Sequence, residues 1–303
     1  MQGTPENRTM NGKILYASYQ EEESLPHYIR YALSGLTQTG FSVVYLTNQR
    51  DLDAESHAFL DKNKIELFFT ENKGYDFGMW HRYLKYVAKF RRESWDRLVL
   101  INDSIVYYQN RFKTIFERCE KSSADVVSLT SNTQIHFHLQ SFFLYLKPKA
   151  LPVLFDHLLE SNECMNFYEV VKRMEIGLSQ KWMDAELTLE ALYKTERPVL
   201  FSYQELVLRH AGFIKRKLLQ KRFTREDVFH FWEHGAANAF NQNYYQLIEK
   251  EGAMDSDFRK EWLVTTKESM GTQIQKAFRL IYYHIYWKLK QIKLDHCKRK
   301  ITQ

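Results

Sequence analysis

Between residues 13 and 146, short apolar runs of strand length alternate with longer segments of helical periodicity. That alternation restricts the chain to an α/β architecture, a mainly parallel sheet with helices on its faces. Lys13 to Ser18 reads as a buried strand, Leu25 to Thr37 as a helix, and Phe41 to Thr47 as a second strand after the stop at Gly40. The unit repeats with a helix near Ala54 to Lys62, a strand near Ile65 to Thr70, a helix near Phe77 to Arg91 and a strand at Arg97 to Asn102. A helix around Arg111 to Lys121 and strands at Asp125 to Leu129 and Phe137 to Leu146 extend it. From Pro148 the pattern turns helical, near Ala150 to Glu160, Tyr168 to Gly177 and Trp182 to Tyr193, with a short strand at Val199 to Tyr203. The expected organisation is a polar lead-in over residues 1–12, one α/β domain over 13–220 and a helical C-terminal extension over 221–303.

Polar residues interrupt this pattern where strands should end, which is where open α/β sheets bind ligands. Asn102-Asp103-Ser104 follows the strand at Arg97, so Asp103 is expected at the carboxyl edge of the sheet. A carboxylate there can hold a divalent cation through oxygen, or the tripeptide can be an Asx turn that ends the strand. Asn72 to Gly78 (Asn-Lys-Gly-Tyr-Asp-Phe-Gly) also lies between a strand and a helix. It brings backbone N–H groups and Gly74 to a position that a phosphate or ribose can approach, with Asp76 as an alternative helix N-cap. Neither a Walker pattern nor G-x-G-x-x-G is present, which argues against ATP hydrolysis and dinucleotide binding.

His136, His138 and Gln140 are expected to share one face of a strand. Without a clear third ligand, a hydrogen-bonded or substrate-contacting histidine is the better reading than a metal pair. Ser141 lacks a G-x-S-x-G elbow, which argues against a serine hydrolase. Farther along, Glu169, Glu175, Asp184 and Glu186 are carboxylates that could accept a proton from an acceptor hydroxyl.

The formal net charge of +6 favours anionic partners, and part of it comes from the clusters Lys215-Arg216-Lys217, Lys221-Arg222 and Lys298-Arg299-Lys300. No nucleic-acid reading motif accompanies them, so nucleic acid is not the expected partner. Three scattered cysteines indicate neither a disulfide framework nor a zinc site and fit a reducing compartment. No window approaches a membrane span and no leader pattern is visible, so the expected location is cytoplasmic. Ile274 to Lys293 sets Ile274, Phe278, Ile281, Ile285 and Leu289 on one face of a basic helix, suited to an anionic membrane surface, to the catalytic domain or to a partner.

Asn72 to Gly78, Asn102-Asp103-Ser104 and His138-Leu139-Gln140-Ser141-Phe142-Phe143, with weaker echoes at Glu175 to Ser179 and Gly212 to Arg216, together resemble the rhamnan synthesis protein F family of bacterial polysaccharide glycosyltransferases. The sequence departs from the family pattern at Tyr107-Tyr108, where Gly-Pro is usual, at Arg82-Tyr83, where a small residue is usual, and at Ser128, where glycine is common. The resemblance implies a GT-A-like fold and transfer of a sugar, often rhamnose from dTDP-rhamnose, onto a lipid-linked glycan or cell-surface polysaccharide precursor. That work would be done in the cytoplasm, in peripheral contact with the cytoplasmic face of the inner membrane.

By the same resemblance Asp103 is the carboxylate that binds the diphosphate or its metal (Mg2+ or Mn2+), and Asn72, Gly74, Tyr75 and Asp76 line the nucleotide side with Asn102 and Ser104. His138, Gln140 and Ser141 face the sugar or acceptor, Glu175 is the base, and Lys215 with Arg216 supplies positive charge if the chain folds back. The competing expectation is a non-catalytic glycan-binding or assembly subunit.

Overall fold

The computed structural model describes residues 11–91, 94–160 and 166–258, together with Tyr282, Ile285, Tyr286 and Leu289. The first strands and helices are β1 (Gly12–Ser18), α1 (His27–Thr37), β2 (Ser42–Thr47), α2 (Ala54–Lys62), β3 (Glu66–Phe69), α3 (Tyr75–Phe90), β4 (Arg97–Asn102) and β5 (Ile105–Tyr107). They are followed by α4 (Phe112–Lys121), β6 (Val126–Ser128), β7 (Ser131–Asn132), β8 (His138–Leu139), β9 (Phe143–Leu146) and α5 (Ala150–Glu160). Seven strands form one sheet in the order β10-β6-β9-β4-β1-β2-β3, where β10 is Leu189–Ala191. Every neighbouring pair is parallel except those made by β9, which runs antiparallel to both β4 and β6.

The strands are apolar on both faces because both faces are covered. Ile14 and Tyr16 of β1 and Val99 and Ile101 of β4 point into one core with α1 and α4. Leu15 and Ala17, with Leu98 and Leu100, point into the other, against α3 and α5. Residues beyond 220 belong to the first core as well, since Phe231, Tyr244, Ile248 and Phe258 are buried in it.

From β1 the chain builds outward through β2 to β3, then returns to add β4 on the other side of β1. The order therefore reverses between β1 and β4, and the crevice at their carboxyl ends is the ligand position that such topology creates. Ser18 ends β1, Asn102 ends β4, and the parallel register sets Ala17 opposite Asn102.

The helix expected over Trp182 to Tyr193 is corrected. α6 (Phe167–Glu169) leads into a π-helix (Val170–Ile176), and α7 (Gly177–Asp184) then stops, with Glu186 at φ 59°. The chain enters β10, which pairs in parallel with β6. Asp125 fixes that entry by accepting from the backbone N and Oγ1 of Thr188 at 2.9 and 2.8 Å. The strand expected at Val199 to Tyr203 is a turn followed by α8 (Tyr203–Leu208). The run Phe137 to Leu146 is divided into β8 and β9 by Gln140-Ser141-Phe142.

β11 (Phe213–Lys215) returns to pair antiparallel with β5, and α9 (Arg216–Leu219), α10 (Arg225–Glu233) and α11 (Tyr244–Glu251) follow. Tyr107 and Tyr108 are buried there, with Tyr107 packed on Phe112 and Phe213, which uses the bulk that distinguishes this sequence at those positions. Most of the expected helix from Ile274 to Lys293 lies outside the described residues, and Ile285 and Leu289, which are described, are exposed. No described helix is long and apolar enough to cross a membrane.

Candidate functional site

A cleft of about 700 Å³ opens at the carboxyl ends of β1 and β4. It is lined by Asn72, Tyr75 and Asp76 from the start of α3, by Asn102, Asp103 and Ser104 after β4, and by Gln140 and Ser141 between β8 and β9. Glu175 from the π-helix and Lys215, Arg216 and Lys217 from the end of β11 complete it. Ten of the twelve site residues expected from sequence therefore converge.

The two exceptions are Gly74 and His138. Gly74 takes the left-handed backbone (φ 74°) that opens α3 and contributes shape. His138 is buried, its Nδ1 lies 2.8 Å from the carbonyl of His136, and it does not line the cleft. His136 is exposed, so the two histidines do not share a face: the strand starts only at His138, and the alternation that would align them never forms.

The loop before α3 is held by close packing. A Cβ on Gly78 would lie 1.8 Å from the carbonyl oxygen of Lys73, so only glycine permits that approach. Arg82 pins the same loop from the helix, donating to Thr70 Oγ1 at 2.6 Å, to the carbonyl of Glu71 and to that of Lys73 at 2.8 Å. That contact set is the use this chain makes of an arginine where the family pattern has a small residue.

From this loop Asp76 accepts a hydrogen bond from Asn102 Nδ2, while Asn102 Oδ1 accepts from the backbone N and Oγ of Ser104 at 3.0 and 2.6 Å. Burial pushes the Asp76 carboxyl up to about 6, the bond from Asn102 opposes the rise, and the charge of Glu175 adds to it. Glu175 Oε1 accepts from the backbone N of Ser141 at 2.8 Å. Its helix has π geometry, a rare form concentrated at functional sites.

Asp103 is engaged differently from the sequence expectation. Its Oδ2 accepts from Ser18 Oγ at 2.9 Å and from Arg216 Nη1 at 2.6 Å, and the same Nη1 donates to Tyr28 Oη at 2.7 Å. Burial raises the Asp103 carboxyl, and Arg216 and Ser18 oppose that rise. Arg216 and Ser18 take one carboxylate oxygen of Asp103, a pairing that suits a guanidinium, and among the described residues no three His, Cys, Asp or Glu groups converge to complete a cation site.

Lys215 lies beside this pair, its Nζ 4.4 Å from the Phe142 ring centroid and 3.4 Å from Ser104 Oγ. Among the described residues it forms no salt bridge, whereas Lys217 is tied to both oxygens of Asp227 at 3.0 and 2.9 Å. Burial pushes the Lys215 ammonium down to about 8, with Glu175 opposing. The cleft thus gathers Lys215 and the Arg216–Asp103 pair with the carboxylates of Asp76 and Glu175, and Ser104 and Asn102 connect Lys215 to Asp76.

The pH consequences follow from the signs. Asp76 titrates near 6 against an ordinary 3.8, so its contribution to stability is full below 3.8 and is lost as pH rises through 6. Lys215 titrates near 8 against 10.5, so its contribution is present above 10.5 and is lost as pH falls through 8. Between about 6 and 8 both groups are charged and both burdens fall on the unliganded fold, which a ligand that pairs with them relieves.

Sequence reasoning did not anticipate that Arg216 would clamp Asp103, or that Tyr19, Phe167, Asp227 and His230 would line the cleft. The run Lys215-Arg216-Lys217 was visible as charge, but its meeting with Asp103 depends on β11 pairing with β5.

Among solved structures the chain is similar to a cytidylyltransferase from Leptospira borgpetersenii serovar Hardjo-bovis, at 16% identity and TM-score 0.37 over 78% of this chain and 99% of that one. It is also similar to 4-diphosphocytidyl-2C-methyl-D-erythritol synthase from Anaerococcus prevotii, at 9% identity and TM-score 0.42 over 77% and 97%. A mannosyltransferase from Pyrobaculum calidifontis in complex with GDP-Man and Mn2+ aligns at 11% identity and TM-score 0.40 over 80% and 73%. No curated protein matches the sequence. The family model described as rhamnan synthesis protein F matches residues 43–280, more than three quarters of the chain.

Proposed function

We propose, from the premise that this chain belongs to the rhamnan synthesis protein F family, that it is a nucleotide-sugar-dependent glycosyltransferase of polysaccharide synthesis. The observation that carries this reading is the cleft at the switch between β1 and β4, which gathers the carboxylates of Asp76 and Glu175 and the ammonium of Lys215. The donor is taken to be dTDP-rhamnose and the acceptor a lipid-linked glycan, reached from the cytoplasm in peripheral contact with the inner membrane surface.

In the proposed inverting step an acceptor hydroxyl oxygen attacks the anomeric carbon as the bond from that carbon to the diphosphate oxygen breaks. The hydroxyl proton passes to the Glu175 carboxylate, and the bonding electron pair leaves on the diphosphate. Lys215 receives that charge, with Arg216 behind it. Asp76, Asn102 and Ser104 serve the donor, and Gln140 and Ser141 the transferred sugar. No step is routed through a metal ion, because Arg216 already neutralises Asp103.

The test is calorimetric titration of the full chain with a panel of nucleotide sugars led by dTDP-rhamnose, followed by transfer assays with and without EDTA. Wild type and Glu175→Gln are expected to bind the same donor, while the variant loses roughly 10²–10⁴-fold in kcat. Transfer is expected to persist in EDTA, and loss restored by Mg2+ or Mn2+ would return a cation to Asp103. Donor binding without turnover on any acceptor would favour the assembly-subunit reading, and no nucleotide binding at all would sink the transferase.

The same groups set the pH profile. Asp76 must be ionised for its bond from Asn102 to orient the loop, and Lys215 must be protonated to receive the diphosphate. The expected kcat/KM is bell-shaped with limbs near 6 and 8. Lys215→Met should remove the alkaline limb along with most of the rate, and an unchanged limb would free Lys215 of the role.

A further inference from the structure

Three large aromatic side chains near the start of α3 and at α6 lie outside both cores. Tyr75 is 41% exposed, Phe167 59% and Tyr168 74%. Tyr75 and Phe167 come from α3 and α6 and meet edge to face, with ring centroids 6.0 Å apart at 76°. Phe167 meets Tyr168 in the same way, at 6.1 Å and 71°. Tyr75 and Phe167 also line the cleft.

Tyr75 holds φ at 55°, in the left-handed region, directly after Gly74 at 74°. For a bulky residue this backbone is unfavourable and persists only where its surroundings impose it. Burial does not explain it, because the strained residue presents its ring to solvent at the cleft. The same cleft is also lined by the uncharged amides of Asn72, Asn132 and Gln134 and by the half-exposed Tyr19.

We propose that Tyr75 and Phe167 form a stacking platform for one pyranose ring of the acceptor glycan, with these amides receiving its hydroxyls. The inference rests on the glycosyl-transfer reading and adds the acceptor side to it. Its position follows the chain: Tyr75 immediately precedes Asp76, and Phe167 leads into the π-helix that carries Glu175. The platform is thus built next to the helix of Glu175, where an acceptor hydroxyl must arrive to lose its proton, and the diphosphate belongs to Lys215. Two rings at right angles make a corner suited to the apolar face of a puckered sugar, whereas a flat base would favour a parallel slot.

The test uses the full chain, with an α-linked rhamnose trisaccharide as glycan probe in saturation-transfer NMR and dTDP-rhamnose in calorimetry. Wild type is expected to saturate the sugar ring protons of the trisaccharide. Phe167→Ala and Tyr75→Ala are each expected to weaken it by about 3- to 10-fold while leaving the donor constant within about twofold. Phe167→Trp should retain the glycan, and the melting temperature of Phe167→Ala should match wild type because that ring is exposed. Trisaccharide binding as tight in both alanine variants as in wild type overturns the platform. So does a parallel loss of dTDP-rhamnose, which would assign the rings to the nucleobase, and so does donor binding with no trisaccharide binding at all, which leaves the transferase reading standing. Ring-dependent glycan binding without donor binding upholds the platform and removes the transferase, and binding of neither probe removes both.

Discussion

Asp103→Asn is expected to cost about 3 kcal/mol of folding stability and to remove transfer, with the first effect measurable by urea denaturation and the second by assay at a temperature where the variant is still folded. The side chain of Asp103 is 11% exposed and that of Arg216 29%, and one carboxylate oxygen holds both Ser18 and the guanidinium. Removing one member of a buried pair strands the other charge, at about 3–5 kcal/mol, and the partial exposure of Arg216 brings the expectation to the lower end. Asp103→Asn combined with Arg216→Met leaves no stranded charge and should recover more than about 1 kcal/mol of the loss while staying inactive. Both bonds, to Asp103 and to Tyr28, come from the one nitrogen Nη1, so Arg216→Lys, whose ammonium carries three donors, should keep more of the stability than Arg216→Met alone. Full stability in Asp103→Asn would show that the pair carries no folding load.

Gly78→Ala is expected to be severely damaging, with the closest approach among the described glycines whose surroundings a Cβ would meet. The added Cβ would meet the Lys73 carbonyl oxygen at 1.8 Å, and the neighbour is backbone that cannot rotate away. The segment cannot drift either, because Arg82 holds the carbonyls of Glu71 and Lys73 and the Gly78 N–H donates to the carbonyl of Gly74 at 2.9 Å. Overpacking of this kind costs about 1–3 kcal/mol, and the rigid neighbour puts this case at the upper end. The displaced loop leads into Asp76, which is bonded to Asn102, so donor affinity and stability should fall together. Gly74→Ala is the control: its difficulty is the left-handed φ, worth about 1–2 kcal/mol. Equal effects of the two substitutions would mean that the close approach at Gly78 relaxes at little cost.

The parts of the fold legible in the sequence are those that local pattern determines. α2 and β4 fall on the expected residues, and β1 and β2 differ by one residue at one end, because their apolar runs are bounded by polar stops. The segment from Trp182 to Tyr193 misled because Ala185, Glu186 and Leu187 have helical propensity, whereas the open edge of β6 and the hydrogen bonds of Asp125 to Thr188 draw the chain into the sheet. The π geometry around Glu175 leaves no trace in composition. At the site, residues after strands were readable from topology alone, and ten of the twelve converge. What was not readable was the partner of Asp103, since a contact across 113 residues depends on how β11 docks. His138 failed for a local reason, as the alternation assumed for it begins only where it is already buried.

The link from Asp103 to Arg216 also sets a timetable. During synthesis, strands β1 to β4 emerge and can pair while Arg216 is still unmade, so the carboxylate at the end of β4 waits without its guanidinium. At about 5–20 residues per second, the intervening 113 residues take on the order of 6–20 seconds to arrive. The sheet can be in place during that interval, but Lys215 and Arg216 cannot, so a newly made chain passes through a stage with a folded floor and an unfinished cleft.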